Sequence, residues 1–149
     1  MLRGNHPAKI DEKGRLKIPT PFRTFIEAEW KTNGVYVTCD DSAGQYVRVY
    51  PLPVWEAIEA RLSRMPSTDP ARRRFQRWTS LYGQSTEIDA QGRVLIHPLL
   101  REPAAMHGEV YVLGQTQFLE VWNRERFHAQ SEEQRLTDED YRRLSEFGI

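Results

Sequence analysis

A pattern that occurs twice constrains this chain of 149 residues more than anything in its composition. Residues 9–19 read Lys-Ile-Asp-Glu-Lys-Gly-Arg-Leu-Lys-Ile-Pro, and residues 87–97 read Glu-Ile-Asp-Ala-Gln-Gly-Arg-Val-Leu-Ile-His. Ile10, Asp11, Gly14, Arg15 and Ile18 thus recur as Ile88, Asp89, Gly92, Arg93 and Ile96, and Arg23 recurs as Arg101. Val35-Tyr36-Val37 matches Val110-Tyr111-Val112, the segment 46–50 matches 118–122, and Trp55 falls against Phe127. The offset shrinks from 78 to 75 to 72 residues, as shortened loops between retained elements would produce. One unit of about fifty residues is too small to build a good core alone. Two copies in one chain therefore imply an intramolecular pair with pseudo-two-fold symmetry and a shared core.

Each unit reads as a hairpin, a helix, two strands and a second helix. Asp-x-x-Gly is a hairpin signature, with Asp opening a type I turn and Gly taking the left-handed position after it. Its flanks, Ala8-Lys9-Ile10 and Leu16-Lys17-Ile18, alternate between apolar and polar. Thr20-Pro21 supplies an N-cap and a first-turn proline, and Phe22, Phe25 and Ile26 share one helical face. Strands follow at 35–38 and 46–50, joined by the loop Asp40-Asp41-Ser42-Ala43-Gly44, and Pro53 opens a helix to about Met65. Asp69-Pro70 opens a connecting helix to about Leu81. The second unit gives strands at 84–88 and 94–96, a helix over 98–105, strands at 110–113 and 118–122, and a helix near 124–129. Thr137-Asp138-Glu139-Asp140 resembles a capping box before a last helix ending near Phe147.

Length suits one domain, or two small ones tightly joined, with a core that needs neither disulfide nor metal. The single Cys39 has no partner for an internal bridge, which fits a reducing cytosol. No apolar run approaches the ~20 residues that span a bilayer, and Met-Leu-Arg-Gly-Asn-His-Pro turns polar too early for a secretory signal. His6, His97, His107 and His128 lack metal-ligand spacing, no Gly-rich phosphate loop occurs, and Cys39 has no nucleophile motif around it. These gaps argue against an enzyme, a metal site or a bound cofactor. The Asp138–Asp140 run is read as a helix N-terminus, where carboxylates suit the dipole. Trp30, Trp55, Trp78 and Trp122 are read as core or as anchors of subunit contacts.

The formal charge of zero conceals an uneven distribution. Residues 1–23 hold Arg3, Lys9, Lys13, Arg15, Lys17 and Arg23 against Asp11 and Glu12. Residues 61–77 hold Arg61, Arg64, Arg72, Arg73, Arg74 and Arg77 against Asp69 alone, either as solvated helix faces or as a contact surface. The last nineteen residues reverse the sign, with six carboxylates against Arg135, Arg142 and Arg143. Asp11 and Asp89 are assigned to holding their turns. Arg15, beside its turn, has the chemistry to grip phosphate or to bond guanine O6 and N7. Lys9, Lys13 and Lys17 join it on the polar face of a two-stranded ribbon, a shape that enters a major groove. Their counterparts are Glu87, Gln91 and Leu95, so the second hairpin is expected to be mainly structural, with Arg93 a weaker contact. No aromatic platform of the RNA-recognition type is visible.

The doubled Asp-x-x-Gly-Arg turn, the opening Met-Leu-Arg-Gly, Leu99-Leu100-Arg101 and the tandem layout resemble the MraZ family. That resemblance implies an α+β, mainly β fold: two swapped-hairpin AbrB-like repeats forming a pseudo-dimer barrel with flanking helices. The units would run over 1–66 and 82–130, joined by a connecting helix at 67–81 and followed by a helical tail at 131–149. The family's Asp-x-x-x-Arg motif falls on Asp11 with Arg15 and on Asp89 with Arg93. His97 departs from it, standing where the second copy usually has proline. The resemblance further implies a cytoplasmic, nucleoid-associated transcriptional regulator with double-stranded DNA as its partner. It would assemble into a homo-oligomeric ring on direct repeats in the promoter of the division and cell-wall gene cluster, as a repressor. Arg3, Lys9, Lys13, Arg15 and Lys17 are the expected DNA contacts, and Asp11, Gly14, Asp89, Gly92 and Arg93 the turn motif. The rival expectation is an assembly module that does not touch DNA.

Overall fold

Alternating apolar residues in each repeat can be covered only by the other repeat, and the strand pairing shows how. The computed structural model describes residues 1–39 and 44–149. In chain order the first repeat contributes β1 (Leu2–Ile10), β2 (Arg15–Lys17), α1 (Thr20–Trp30), β3 (Gly34–Thr38), β4 (Val47–Pro51) and α2 (Leu52–Leu62). A connecting helix, α3 (Pro70–Leu81), leads to β5 (Gly83–Glu87), β6 (Arg93–Leu95), α4 (Pro98–Arg101), β7 (Gly108–Thr116), β8 (Leu119–Asn123) and α5 (Arg124–Ala129). The chain ends in α6 (Asp138–Ser145).

The sheet order is β5-β3-β4-β8-β7-β1-β2-β6, antiparallel throughout. Its two ends, β5 and β6, approach across the turn at 89–93, so the barrel is nearly closed. β1 pairs with β7 of the other repeat over nine residues, and β3 pairs reciprocally with β5. This is the exchange of a swapped hairpin. The two seams share one symmetry. β2 faces β6 about Leu16↔Val94, and β4 faces β8 about Arg48↔Glu120, each a pair of matched positions. A pseudo-two-fold axis passes through both seams, as the doubled pattern implied.

The core is the repeat's own apolar set taken twice. Ile10, Leu16, Ile18, Phe22, Val35, Val37, Val47 and Val49 are buried, and so are their counterparts Ile88, Val94, Ile96, Leu100, Val110, Val112, Leu119 and Val121. Trp55 and Trp122 are buried; Trp55 stacks on Tyr36 with ring centres 4.4 Å apart. Trp30 lies edge-on to Phe25, and Trp78 packs beside Tyr82, so all four tryptophans pack within the chain.

Several element boundaries differ from the sequence expectation. β1 runs from Leu2, well ahead of the alternating flank Ala8-Lys9-Ile10, and takes in Gly4 and Pro7. Pro7 is tolerated because it faces Tyr111 on one side, while short β2 reaches only Ile10 on the other. Pro19, not Thr20, occupies the N-cap of α1, and no side chain caps that helix. α4 stops at Arg101 instead of 105, because Pro103 has no N–H to continue it. α2 ends at Leu62, since Pro66 disfavours helix at Met65. His97, the departure in the second copy, caps α4: its Nδ1 accepts the Leu99 N–H at 3.1 Å. Asp69 caps α3, and Thr137 and Asp140 form the expected reciprocal box on α6. In the 40–44 loop, residues 40–43 lie outside the described residues.

Because β1 and β3 have their longest pairings in the second repeat, with β7 and β5, a fragment of residues 1–66 is expected to be unfolded or to associate with a second copy. Sedimentation combined with circular dichroism checks this, and a folded monomer would contradict the exchange.

Candidate nucleic-acid interface

The β2–β6 seam places the two Asp-x-x-Gly turns side by side at one end of the barrel. Each turn glycine is bound into the other repeat: the Gly92 carbonyl accepts the Ile18 N–H at 2.9 Å, and the Gly14 carbonyl accepts the Ile96 N–H at 2.8 Å. Both glycines have φ +79°, the left-handed conformation that L side chains rarely adopt. The turns close identically, with the Gly14 N–H reaching the Asp11 carbonyl at 3.0 Å and the Gly92 N–H reaching that of Asp89 at 2.9 Å.

The aspartates hold these turns. Asp11 Oδ1 accepts the Lys13 and Arg15 N–H groups at 2.9 and 3.0 Å, and Asp89 Oδ1 accepts those of Gln91 and Arg93 at 2.8 and 2.9 Å. Hydrogen bonds to the charged form favour it. The Arg15 N–H lowers the pKa of Asp11 most, with the Arg15 side chain, the Lys13 N–H and the Arg15 charge adding to it. For Asp89 the Arg93 N–H leads, followed by the Gln91 N–H and the charges of Arg93 and Arg15.

The two arginines then part ways. Arg15 Nε donates to Asp11 Oδ2 at 2.7 Å, both side chains about a third exposed (37% and 35%). This leaves the outer Nη groups of Arg15 with no other acceptor among the described residues. A guanidinium held by Nε keeps a two-pronged donor face turned outward, the geometry for phosphate or guanine. Arg93 makes no ion pair with Asp89; its Nη1 donates to Gln91 Oε1 at 3.2 Å. The second turn is Asp-capped but lacks the clamp.

Of the expected DNA contacts, Lys13 is exposed on the first turn, and Lys9 and Lys17 lie on the outer face flanking the Ile10↔Leu16 pair. Lys17 is not free: its Nζ donates to the Gln91 carbonyl of the second turn. Lys9 stands opposite Glu109 across β1 and β7. Arg3 is also on the outer face, but six residues back along β1, roughly 20 Å from Lys9 at strand rise. It faces Gln115. The turn cluster therefore gathers Lys9, Lys13, Arg15, Lys17 and Arg93 and leaves Arg3 outside.

Two residues belong to the cluster without having been assigned to it. Arg23 on α1 reaches the second turn, its Nη2 3.4 Å from the Ala90 carbonyl. Its counterpart Arg101 lies over the first turn, where a Cβ on Gly14 would fall 2.1 Å from its Nε; that Nε donates to the Ile96 carbonyl at 2.9 Å. Their recurrence was the available signal. What it could not show was that each arginine serves the other repeat's turn. Among the described residues, no group of three or more His, Cys, Asp or Glu side chains is placed to hold a metal ion. No described helix is long and apolar enough to cross a membrane.

A barrel of two interlocked hairpin repeats, with Asp-held turns paired at one end, defines the tandem swapped-hairpin class with AbrB-like units. The family model "MraZ protein, putative antitoxin-like" matches residues 1–78 and again 83–147. The chain is 42% identical over the full length of both chains to the transcriptional regulator MraZ of Acidobacterium capsulatum, and 44% identical, again end to end, to that of Koribacter versatilis. A Coxiella burnetii protein of the same name is 37% identical over 89% of this chain and 86% of its own. The chain belongs to the MraZ family.

Two outcomes follow. Gly14→Ala forces an unfavourable φ, about 1–2 kcal/mol, and displaces Arg101. It is expected to lower the thermal midpoint more than Gly92→Ala, whose nearest neighbour would be 3.1 Å away. Calorimetry compares them. Asp11 and Asp89 have folded pKa values below the usual ~3.9, so their contribution is complete above that value. It is lost as pH falls through the lower folded values. Amide exchange at Lys13, Arg15, Gln91 and Arg93 should accelerate there, and Asp11→Asn should remove the dependence at the first turn only.

Proposed function

We propose that this protein is a DNA-binding transcriptional regulator whose paired turns grip the duplex, Arg15 being the principal contact. The observation that carries this reading is the Arg15 guanidinium, fastened through Nε by Asp11 with its outer nitrogens unclaimed, in a cluster where Lys9, Lys13, Lys17, Arg93 and Arg101 supply further positive charge and Arg23, paired with Glu27 at 3.0 Å, borders the second turn. Asp11 and Asp89 remain charged and offset part of that charge, Asp11 directly against Arg15, but their oxygens are turned to the backbone N–H groups of the turns and to Arg15 Nε. The relatives' name, transcriptional regulator, agrees with this. Arg93 and Gln91 lie beside the first turn, so the second hairpin takes part as a neighbouring contact surface.

The finer reading is a ring of copies presenting successive turns to direct repeats in the promoter of the division and cell-wall gene cluster, acting as a repressor in the cytoplasm on the nucleoid. A head-to-tail contact closes into a ring when its rotation permits. Weak single contacts then combine through effective concentration, by ~10²–10⁴. This is how a chain with zero formal charge could hold DNA. In this scheme residues 1–66 and 82–130 supply the barrel and the paired turns, while 67–81 and 131–149 remain outside it.

Arg15→Ala is expected to weaken binding roughly 5- to 150-fold per engaged turn, the equivalent of 1–3 kcal/mol for a bidentate base contact, with oligomer mass unchanged. Electrophoretic mobility shifts on fragments with one and three repeats check both parts. Equal affinity for the two fragments would remove the ring argument, and normal binding by Arg15→Ala would remove the site. Affinity should also fall steeply with salt as counterions are released.

A further inference from the structure

The cations at 61–77 are not absorbed by the turn cluster. α2 and α3 form a helical corner whose outer side is a shallow apolar groove of about 400 Å³, lined by Ile58, Arg61, Leu62, Met65, Ala71 and Phe75. Of the lining residues Arg61 is exposed, and Arg64 and Arg74 are exposed on the same corner, none of the three pairing with a carboxylate among the described residues, whereas Arg77, two residues from Phe75, falls on the far side of α3. Arg72 differs, turning inward to the Met65 carbonyl. An apolar trough lined by Arg61, on a corner that also carries the unpaired Arg64 and Arg74, fits an acidic amphipathic segment.

The same chain carries such a segment. Residues 131–149 hold six carboxylates against three arginines. Leu136, Tyr141, Phe147 and Ile149 are 54%, 59%, 70% and 81% exposed, the largest apolar exposures of the chain apart from Met1 and Leu81. Tyr141 and Leu144 are three apart on α6, hence on one side of it, with Phe147 just beyond. The ion pairs within the tail, such as Arg143 with Glu146 at 3.1 Å, are exposed pairs of low worth, readily exchanged for others.

We infer that the α2–α3 groove receives the tail of a second copy, with Tyr141 and Phe147 in the trough and tail carboxylates against Arg61, Arg64 and Arg74. Donor and acceptor sit on opposite halves of the barrel. α2 packs on β3 and β4, while α5, which leads into the tail, packs on their counterparts β7 and β8. The contact is therefore heterologous, each copy using one surface to give and another to receive. It rests on the ring assembly of the proposed function and supplies that ring with its joint.

The test uses two full-length variants. Tyr141→Asp with Phe147→Asp spoils the tail. Ala71→Tyr with Arg61→Glu fills and reverses the groove at exposed positions outside the core. Light scattering at high protein concentration is expected to give a multi-subunit mass for the parent and the 17.5 kDa monomer for each variant. An equal mixture should give a particle of twice that mass, joined by the one remaining intact tail and intact groove. Circular dichroism and binding to a one-repeat duplex should match the parent, because the turns are untouched. Parental mass in either variant overturns the joint while leaving the ring standing, and so does a mixture that stays monomeric. A monomeric parent overturns joint and ring together. A groove variant that keeps its mass but loses the one-repeat duplex assigns the arginines to nucleic acid and overturns the joint.

Discussion

The structure depends on strands exchanged between two halves of one chain. β1 has its long partner in β7 and β3 has its own in β5, so neither repeat can complete its sheet alone. The hydrogen bonds of the Gly14 and Gly92 carbonyls to Ile96 and Ile18 lock the same exchange at the turns. The gain is largely burial: sixteen matched apolar positions enter one core, whereas a single unit would leave them partly wet. Everything at the turn end, from the spacing of Asp11 and Asp89 to the reach of Arg23 and Arg101, is set by that seam.

Symmetry in the backbone does not bring symmetry in the chemistry. The scaffold sets Arg15 opposite Leu95 and Lys17 opposite Arg93, so one half of the turn surface is basic and the other mixed. Asp11 clamps its arginine, and Asp89 does not, because Gln91 Oε1 takes the Arg93 guanidinium instead. Shape is thus conferred by both copies and charge mostly by the first. The second copy's losses of lysine leave its turn to Gln91, whose backbone carbonyl receives Lys17.

Repeat, pairing of the halves and core were legible in the sequence because period and offset survive in residues that must be apolar, whereas the barrel was implied by the family resemblance. The Asp-x-x-Gly turns were legible because only a residue tolerant of φ +79° serves at Gly14 and Gly92. Extents were less so. Alternation marks only Ala8-Lys9-Ile10, and the length of β1 back to Leu2 is set by its partner β7; His97, a departure from the family pattern, caps α4 through its Nδ1. The grouping of site residues was legible within the hairpin, where strand alternation governs, while the separation of Arg3 from the turn is a matter of distance along β1. Arg23 and Arg101 were visible as a recurrence, yet their crossing to opposite turns is a tertiary fact.

The central claim, that DNA lies against the paired turns, is tested most directly by photo-cross-linking. A photoreactive residue is placed in turn at positions 13, 91 and 74, and each protein is irradiated with a duplex carrying the direct repeats. Adducts from 13 and 91, with none from 74, are the result this account predicts. Adducts from 74 alone would contradict it and move the duplex to the helical corner.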